Sequence, residues 1–339
     1  MTKITICIAV VVGGLEVIKV KGVQKRMWKI EWIDIELTSF CNIHCEGCFR
    51  ELSEYADKVN NIEKISLDTI KQRFKKEDFP DIKIINFCGS VDEPTSHPEF
   101  FDIIKHFSSW NAHINIATNG SLRTEKWWSN LAELLKSTKS HRVTWGVDGT
   151  DKISEIYRRG SKFDKVEKNY RAFNKSGGQS TWQFIVFEHN QHQEQEVKVK
   201  ALEEGFRNVK YIYSHRKDVQ NKNIAHKKVE REETLTVQCK YEAQNRIFVN
   251  HRGNVIPCCH LNAEMLEYSA GREKNTKFTE ILNDNQGEEA VNLKNHEIKE
   301  VMNGKVWKSI ADSWTNEPIS KCWKTCKKRQ HDTFVKESL

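Results

Sequence analysis

Three cysteines share one short segment, Cys41-Asn-Ile-His-Cys45-Glu-Gly-Cys48. The C-x3-C-x2-C spacing can gather three thiolates around one small inorganic core. Three protein ligands leave one iron of such a cluster open, and an open iron can chelate an amine and a carboxylate from an exogenous molecule. A zinc knuckle would need a fourth nearby Cys or His. His44 is available, but inside so short a loop it is poorly placed for convergent tetrahedral ligation.

A second group lies nearly two hundred residues downstream. Cys239 is followed after thirteen residues by Gly253 and after four more by Cys258, while Cys322 and Cys326 form a C-x3-C pair. A hairpin glycine would let Cys239 and Cys258 approach from paired strands, and a helical C-x3-C sets two sulfurs on one face. Four thiolates can complete a cluster with no open iron, or hold a structural zinc. Cys259 is an alternative to Cys258 as ligand. Cys7, in an apolar run, and Cys88, in a turn, read as buried small hydrophobes.

The elements that must position these groups follow from the rest of the chain. From Trp32 onward β-branched runs alternate with amphipathic stretches: strands at 32–37, 83–87, 114–117, 143–147, 182–187 and 209–213, and helices at 65–74, 98–108, 125–135, 162–176 and 194–204. This is the rhythm of about six strand–helix units on a parallel sheet, fewer than the eight of a closed barrel. The lysine-rich stretch 216–233 reads as a linker. Beyond it, 246–250 and 254–256 flank His251-Arg252-Gly253 as a β-hairpin, with helices near 278–283 and 305–313. The expected division is an N-terminal β extension at 1–26, with a strand–turn–strand over Ile4–Val17, a catalytic core at 27–215, the linker, and an α+β domain at 234–339.

Composition narrows the classes. The 339 residues, 38% hydrophobic with ten Trp and five Pro, suit a globular chain rather than a disordered one. Ten cysteines in so long a chain fit metal ligation better than a secreted disulfide scaffold, and no segment approaches a membrane span. A labile cluster places the protein in the reducing cytoplasm. The formal charge of +7 favours acidic partners, but its clusters read as solvated faces, and nucleic acid carries little weight.

The strand, the loop Cys41–Cys48 and the following Phe49-Arg50 resemble the signature of the radical S-adenosylmethionine (SAM) superfamily. The resemblance implies a partial (β/α)6 TIM-like barrel and a [4Fe-4S] cluster on Cys41, Cys45 and Cys48 that reductively cleaves SAM to a 5′-deoxyadenosyl radical. The turn Gly89-Ser90-Val91-Asp92-Glu93 resembles the family element that takes the SAM ammonium, a role for which a carboxylate beside exposed carbonyls is suited. Asn119 and Asp148 look like positions near the ribose and adenine. Where many members have a serine two residues before that aspartate, Gly146 stands here. Arg159, in Tyr157-Arg158-Arg159-Gly160, resembles the arginine that pairs with the SAM carboxylate. Cys239, Cys258, Cys322 and Cys326 look like the twitch form of a SPASM-type C-terminal domain carrying one auxiliary [4Fe-4S] cluster.

By this resemblance the protein is an enzyme that abstracts hydrogen from a substrate. A peptide or protein side chain leads. A small carbohydrate or nucleotide-derived substrate, oxidised or otherwise modified, is the alternative, and a non-enzymatic zinc or nucleic-acid-binding protein the reading from another class. A reducing donor such as flavodoxin or ferredoxin is implied, and no membrane.

Overall fold

In the computed structural model of the protein the described residues are 29–52, 62–213, 237–271, 275–326 and, for the backbone alone, 335–337. The N-terminal extension with its strand–turn–strand, and the linker at 216–233, lie outside them.

Among the described residues a nine-stranded sheet organises the molecule. Its strands are β1 (Trp32–Ile35), β3 (Ile84–Phe87), β4 (His113–Thr118), β5 (Ser140–Gly146), β7 (Ser180–Val186), β8 (Asn208–Tyr213), β9 (Arg246–Val249), β10 (Val255–Ile256) and β11 (Val335–Glu337). Among the described residues the two short strands β2 (His44–Cys45) and β6 (Arg158–Arg159) pair only with each other. The sheet order is β10-β9-β1-β3-β4-β5-β7-β8-β11, and β1, β3, β4, β5, β7 and β8 are parallel neighbours in chain order. Helices between successive strands carry the chain back for each parallel pairing. It is the mixed α/β fold expected of a partial barrel.

Side chains alternate along the parallel strands, as the pleat requires. In β4, Ile114, Ile116 and Thr118 are buried while His113, Asn115 and Ala117 are half-buried. The buried row meets the helices. Trp145 of β5 lies 4.4 Å from Trp128 of helix Glu125–Leu135 and 5.8 Å from Phe173 of helix Phe163–Lys175. The opposite row is polar: Asp34, Asn86 and Asn115 stand level across β1, β3 and β4.

The C-terminal hairpin forms as the sequence predicts, but it does not stand apart. Its strand β9 pairs parallel with β1, aligning Trp32 with Arg246 and Ile35 with Val249. Ion pairing reinforces the seam, because the buried Asp34 accepts from Arg246 Nε at 2.5 Å and the guanidinium lies 4.1 Å over the Trp32 ring. Helix Lys305–Ser313 packs behind the hairpin, with Trp307 Nε1 donating to the Val255 carbonyl at 3.1 Å.

Trp128 is fully buried between Trp145 and Phe173. Trp128→Ala should therefore lower the unfolding free energy by about 3–5 kcal/mol, the usual cost of an aromatic-to-alanine cavity, as measured by denaturant titration. A loss below about 1 kcal/mol would show that the layer repacks.

Candidate active site and auxiliary cluster site

The loop carrying Cys41, Cys45 and Cys48 leaves the C-terminal end of β1, the rim where active sites of such sheets gather. Its turn closes through the Cys48 amide donating to the Cys45 carbonyl at 3.1 Å. Pairing of His44 with Arg159 and of Cys45 with Arg158 clamps one side of the loop. On the other side Asn119 Nδ2 donates to Asn42 Oδ1 at 3.0 Å and stands 3.5 Å from the Cys41 sulfur. All three cysteines are half-buried and free. Burial pushes the Cys41 thiol up to about 12 and that of Cys45 up to about 11, so ligation as thiolate must displace protons.

The turn after β3 sits beside this loop, with Glu93 N donating to the Phe40 carbonyl at 2.8 Å. Asp92 is turned inward: Oδ2 accepts from the Leu37 amide at 3.0 Å, and among the described residues Oδ1 is buried without a hydrogen-bond partner. A Cβ added at Gly89 would lie 2.1 Å from that oxygen, so only glycine admits the carboxylate here. Burial and the neighbouring Glu36 push the Asp92 carboxyl well above its usual range. An acidic oxygen so placed suits the ammonium group that the turn was expected to take. Glu93 is differently used. Its buried carboxylate is committed to the Thr95 and Thr118 hydroxyls, each at 2.7 Å, and to the Asn119 amide at 2.6 Å, so it splices the β3 turn to the end of β4.

At the end of β5 the carboxylate of Asp148 is also committed. It accepts from the Ile185 amide at 2.7 Å and pairs with Arg158 Nε at 2.8 Å. Of the two adjacent arginines, Arg158 is buried, whereas Arg159 is exposed and donates through Nε to the His44 carbonyl at 3.1 Å. The guanidinium of Arg158 lies 2.6–2.8 Å from where a Cβ on Gly146 would be. This accounts for the missing serine: a side chain at Gly146 would evict the arginine. The paired Asp148 raises the Arg158 pKa against the opposing effect of burial, which keeps the buried cation charged.

Cys239, Cys258, Cys322 and Cys326 line one enclosed cavity, together with Leu261 and Trp314. Cys239 and Cys258 do not lie on paired strands as anticipated. They precede the first turns of helices Lys240–Ala243 and Cys259–Ser269, while Cys322 and Cys326 share a face of helix Ser320–Cys326. Cys259 is turned away from the cavity; its sulfur lies 3.8 Å from the Tyr241 hydroxyl. Of the two neighbours, Cys258 lines the cavity and Cys259 does not. Burial pushes the Cys258 thiol up, and that of Cys322 up to about 11. Among the described residues no three His, Cys, Asp or Glu side chains converge closely enough for a single metal ion.

Sequence reasoning missed Glu36 and His251. Glu36 follows β1 directly and is fully buried; His251 sits at the hairpin tip and donates from Nδ1 to Glu36 Oε1 at 2.7 Å. Local sequence holds no sign of the pair, whose members are 215 positions apart.

Residues 35–200 match the family model of the radical SAM superfamily, and residues 239–327 match that of the SPASM iron–sulfur cluster-binding domain. The chain thus belongs to the radical SAM superfamily. More particularly, it is a member with a C-terminal SPASM domain, and its cofactors are SAM and [4Fe-4S] clusters, catalytic and auxiliary.

Over 105 residues the chain is 33% identical to the tungsten-containing aldehyde ferredoxin oxidoreductase cofactor-modifying protein of Pyrococcus furiosus, covering 31% of this chain and 28% of that protein. It is 28% identical over 159 residues to the GTP 3′,8-cyclase of Microcystis aeruginosa, covering 46% and 42%. The matches span less than half the length of either curated relative. Among solved structures, anSMEcpe with bound AdoMet aligns with a TM-score of 0.54 at 17% identity, covering 84% of this chain and 81% of that one. SuiB of Streptococcus suis bound to S-adenosylmethionine aligns at 0.53 and 14%, covering 69% and 61%. These likenesses establish the fold. No helix among the described residues is long and apolar enough to cross a membrane.

The buried histidine gives the site a pH signature. Burial opposes its charge, but hydrogen bonds to Glu36 and Glu63 outweigh that and raise His251 to about 9. A pKa raised in the folded state stabilises fully below the unfolded value of ~6.5, and the contribution is lost as pH climbs through the folded one. The unfolding free energy should fall between about pH 6.5 and 9 through this group, and the fall should be smaller in His251→Asn. Equal slopes in both proteins would exclude His251 as the source.

Proposed function

We propose that the protein abstracts a hydrogen atom from a peptide or protein side chain and so modifies it, with the C-terminal cluster accepting an electron from the substrate or holding it. The observation that carries this reading is the segregation of two cysteine sets: three in one loop at the barrel rim, and four around a separate enclosed cavity. Three ligands leave an iron to bind SAM, and four leave none. Cys41, Cys45 and Cys48 would hold a cluster that, when bound and reduced, would supply the electron for cleaving SAM to methionine and a hydrogen-abstracting 5′-deoxyadenosyl radical.

The chain's own groups bind and orient. The turn Gly89, Ser90 and Asp92 receives the ammonium; Asn119 holds the Cys41 side of the loop; Asp148 holds Arg158, and Arg158 rather than the exposed Arg159 presents the fork for the carboxylate. A peptide substrate is supported by two proteins of like fold, SuiB bound to its precursor peptide SuiA and anSMEcpe bound to a peptide. The polar inner face bearing Asp34, Asn86 and Asn115 favours a second reading, a small hydroxylated or nucleotide-derived substrate.

Deuterium transfer into 5′-deoxyadenosine from a labelled peptide, as against a labelled sugar or nucleotide, decides between the two. Cys41→Ala, Cys45→Ala or Cys48→Ala should abolish SAM cleavage, whereas Cys322→Ala or Cys326→Ala should spare cleavage and lose product. Retained cleavage in Cys45→Ala would sink the proposal. Iron per chain should be about eight in the wild type and about four when all three loop cysteines are alanine. Arg158→Lys should weaken SAM binding by about tenfold, equivalent to about 1.4 kcal/mol, and Arg159→Lys by less than about twofold. Equal effects would leave the fork unassigned to either residue.

A further inference from the structure

The carboxylate of Glu36 faces two ways. Oε2 belongs to the turn after β3: it accepts from the Ser90 amide at 2.6 Å, the Ser90 hydroxyl at 2.9 Å and the Val91 amide at 3.2 Å. Oε1 belongs to the C-terminal part of the chain: it accepts from His251 Nδ1 at 2.7 Å and from Asn262 Nδ2 at 3.2 Å. Asn262 Nδ2 also reaches the Ser90 hydroxyl at 2.7 Å, and its own Oδ1 accepts from Asn250 Nδ2 at 3.0 Å. Glu36, His251, Asn250 and Asn262 are each no more than 1% exposed.

A charge so placed is costly to desolvate unless its partners are complete, and removing one partner of such a pair is more disruptive than lacking both. Two of the five groups that complete this one come from beyond residue 249. The hairpin tip that bears His251 is itself fixed, since Asn250 Oδ1 accepts from the amides of Arg252 and Asn254, each at 3.0 Å, and Gly253 takes a left-handed φ of 86°. On its other side His251 Nε2 faces Glu63 at 3.5 Å, which Arg252 also pairs with at 2.7 Å. The hairpin is therefore a rigid arm, and its imidazole sets where the Glu36 carboxylate points.

We propose that Glu36 and His251 form a clasp through which the SPASM-containing part positions the Gly89–Asp92 turn, so that SAM affinity depends on the C-terminal hairpin although it stands outside that turn. Both are positioning residues. With His251 absent, Oε1 keeps only the longer bond from Asn262 Nδ2 at 3.2 Å, and the carboxylate that accepts from the Ser90 and Val91 amides is held less firmly. The inference rests on the turn being the SAM ammonium site.

The test is the equilibrium SAM dissociation constant of anaerobically reconstituted variants, with iron content, the cluster's electron paramagnetic resonance signal without SAM, and thermal unfolding recorded alongside. His251→Ala and His251→Gln should raise the constant by about tenfold or more. His251→Asn, whose amide nitrogen takes the place of Nδ1, should recover most of that loss; His251→Gln, whose nitrogen takes the place of Nε2, should not. Iron content and the SAM-free signal should match wild type in all three. A fold defect would not sort Asn from Gln in this way.

Gly89→Ala separates the clasp from the reading beneath it, because the added Cβ would meet the Asp92 carboxylate inside the turn. If Gly89→Ala weakens SAM binding and the His251 variants stay within about twofold of wild type, the clasp is wrong and the turn assignment stands. If Gly89→Ala also leaves binding unchanged, the turn is not the ammonium site and both fall.

Discussion

Everything at the site depends on the parallel register of β1, β3, β4, β5, β7 and β8. Strands that run the same way end on the same rim, and four of these strand ends supply the loops of the site: the cysteine loop from β1, the Gly89–Glu93 turn from β3, Asn119 from β4 and Asp148 from β5. The rim is then locked by side chains reaching sideways between loops. Glu93 joins the β3 turn to β4, Asn119 joins β4 to the cysteine loop, and Asp148 with Arg158 joins β5 to the short strand that clamps Cys45. Four flexible excursions become one surface because each donates to or accepts from its neighbour.

Among the described residues, three ion pairs built on a buried carboxylate share a design. Asp34 with Arg246, Asp148 with Arg158 and Glu36 with His251 each have one partner on an inner strand or just past its end. Buried pairs contribute little net stability, since desolvation offsets attraction, but they penalise misplacement heavily. An apolar pair of equal volume would hold the layers together and let them slide. These pairs fix register, which a site built from four loops requires.

How much of this was legible in the sequence differs by kind of information. The helix Glu125–Leu135 and the helix Lys305–Ser313 were readable to the residue, because their apolar positions recur with helical spacing and Thr124 supplies a cap for the first. The cysteine loop was readable because its ligands are neighbours in the chain. Arg158 and Arg159 were not separable: adjacent residues on a two-residue strand point to opposite sides, and which side faces the site depends on Gly146, twelve positions earlier. Cys258 and Cys259 posed the same problem at a helix start. The Glu36–His251 pair leaves no local mark at all, and β9 in the core sheet could not be foreseen from a hairpin motif that reads equally well as part of an independent domain.

The pairing of β9 with β1 means that the boundary drawn by cofactor binding is not a boundary of folding. A catalytic core cut free before residue 237 would leave β1, its founding strand, as a bare sheet edge, with a row of unmatched amides and carbonyls beside an Asp34 that has lost its Arg246 partner. Such an edge recruits strands from other molecules. Exchange of the cluster-binding module between relatives therefore has to carry a sheet edge with it, and a chain that acquired a new module would inherit the obligation to cap β1.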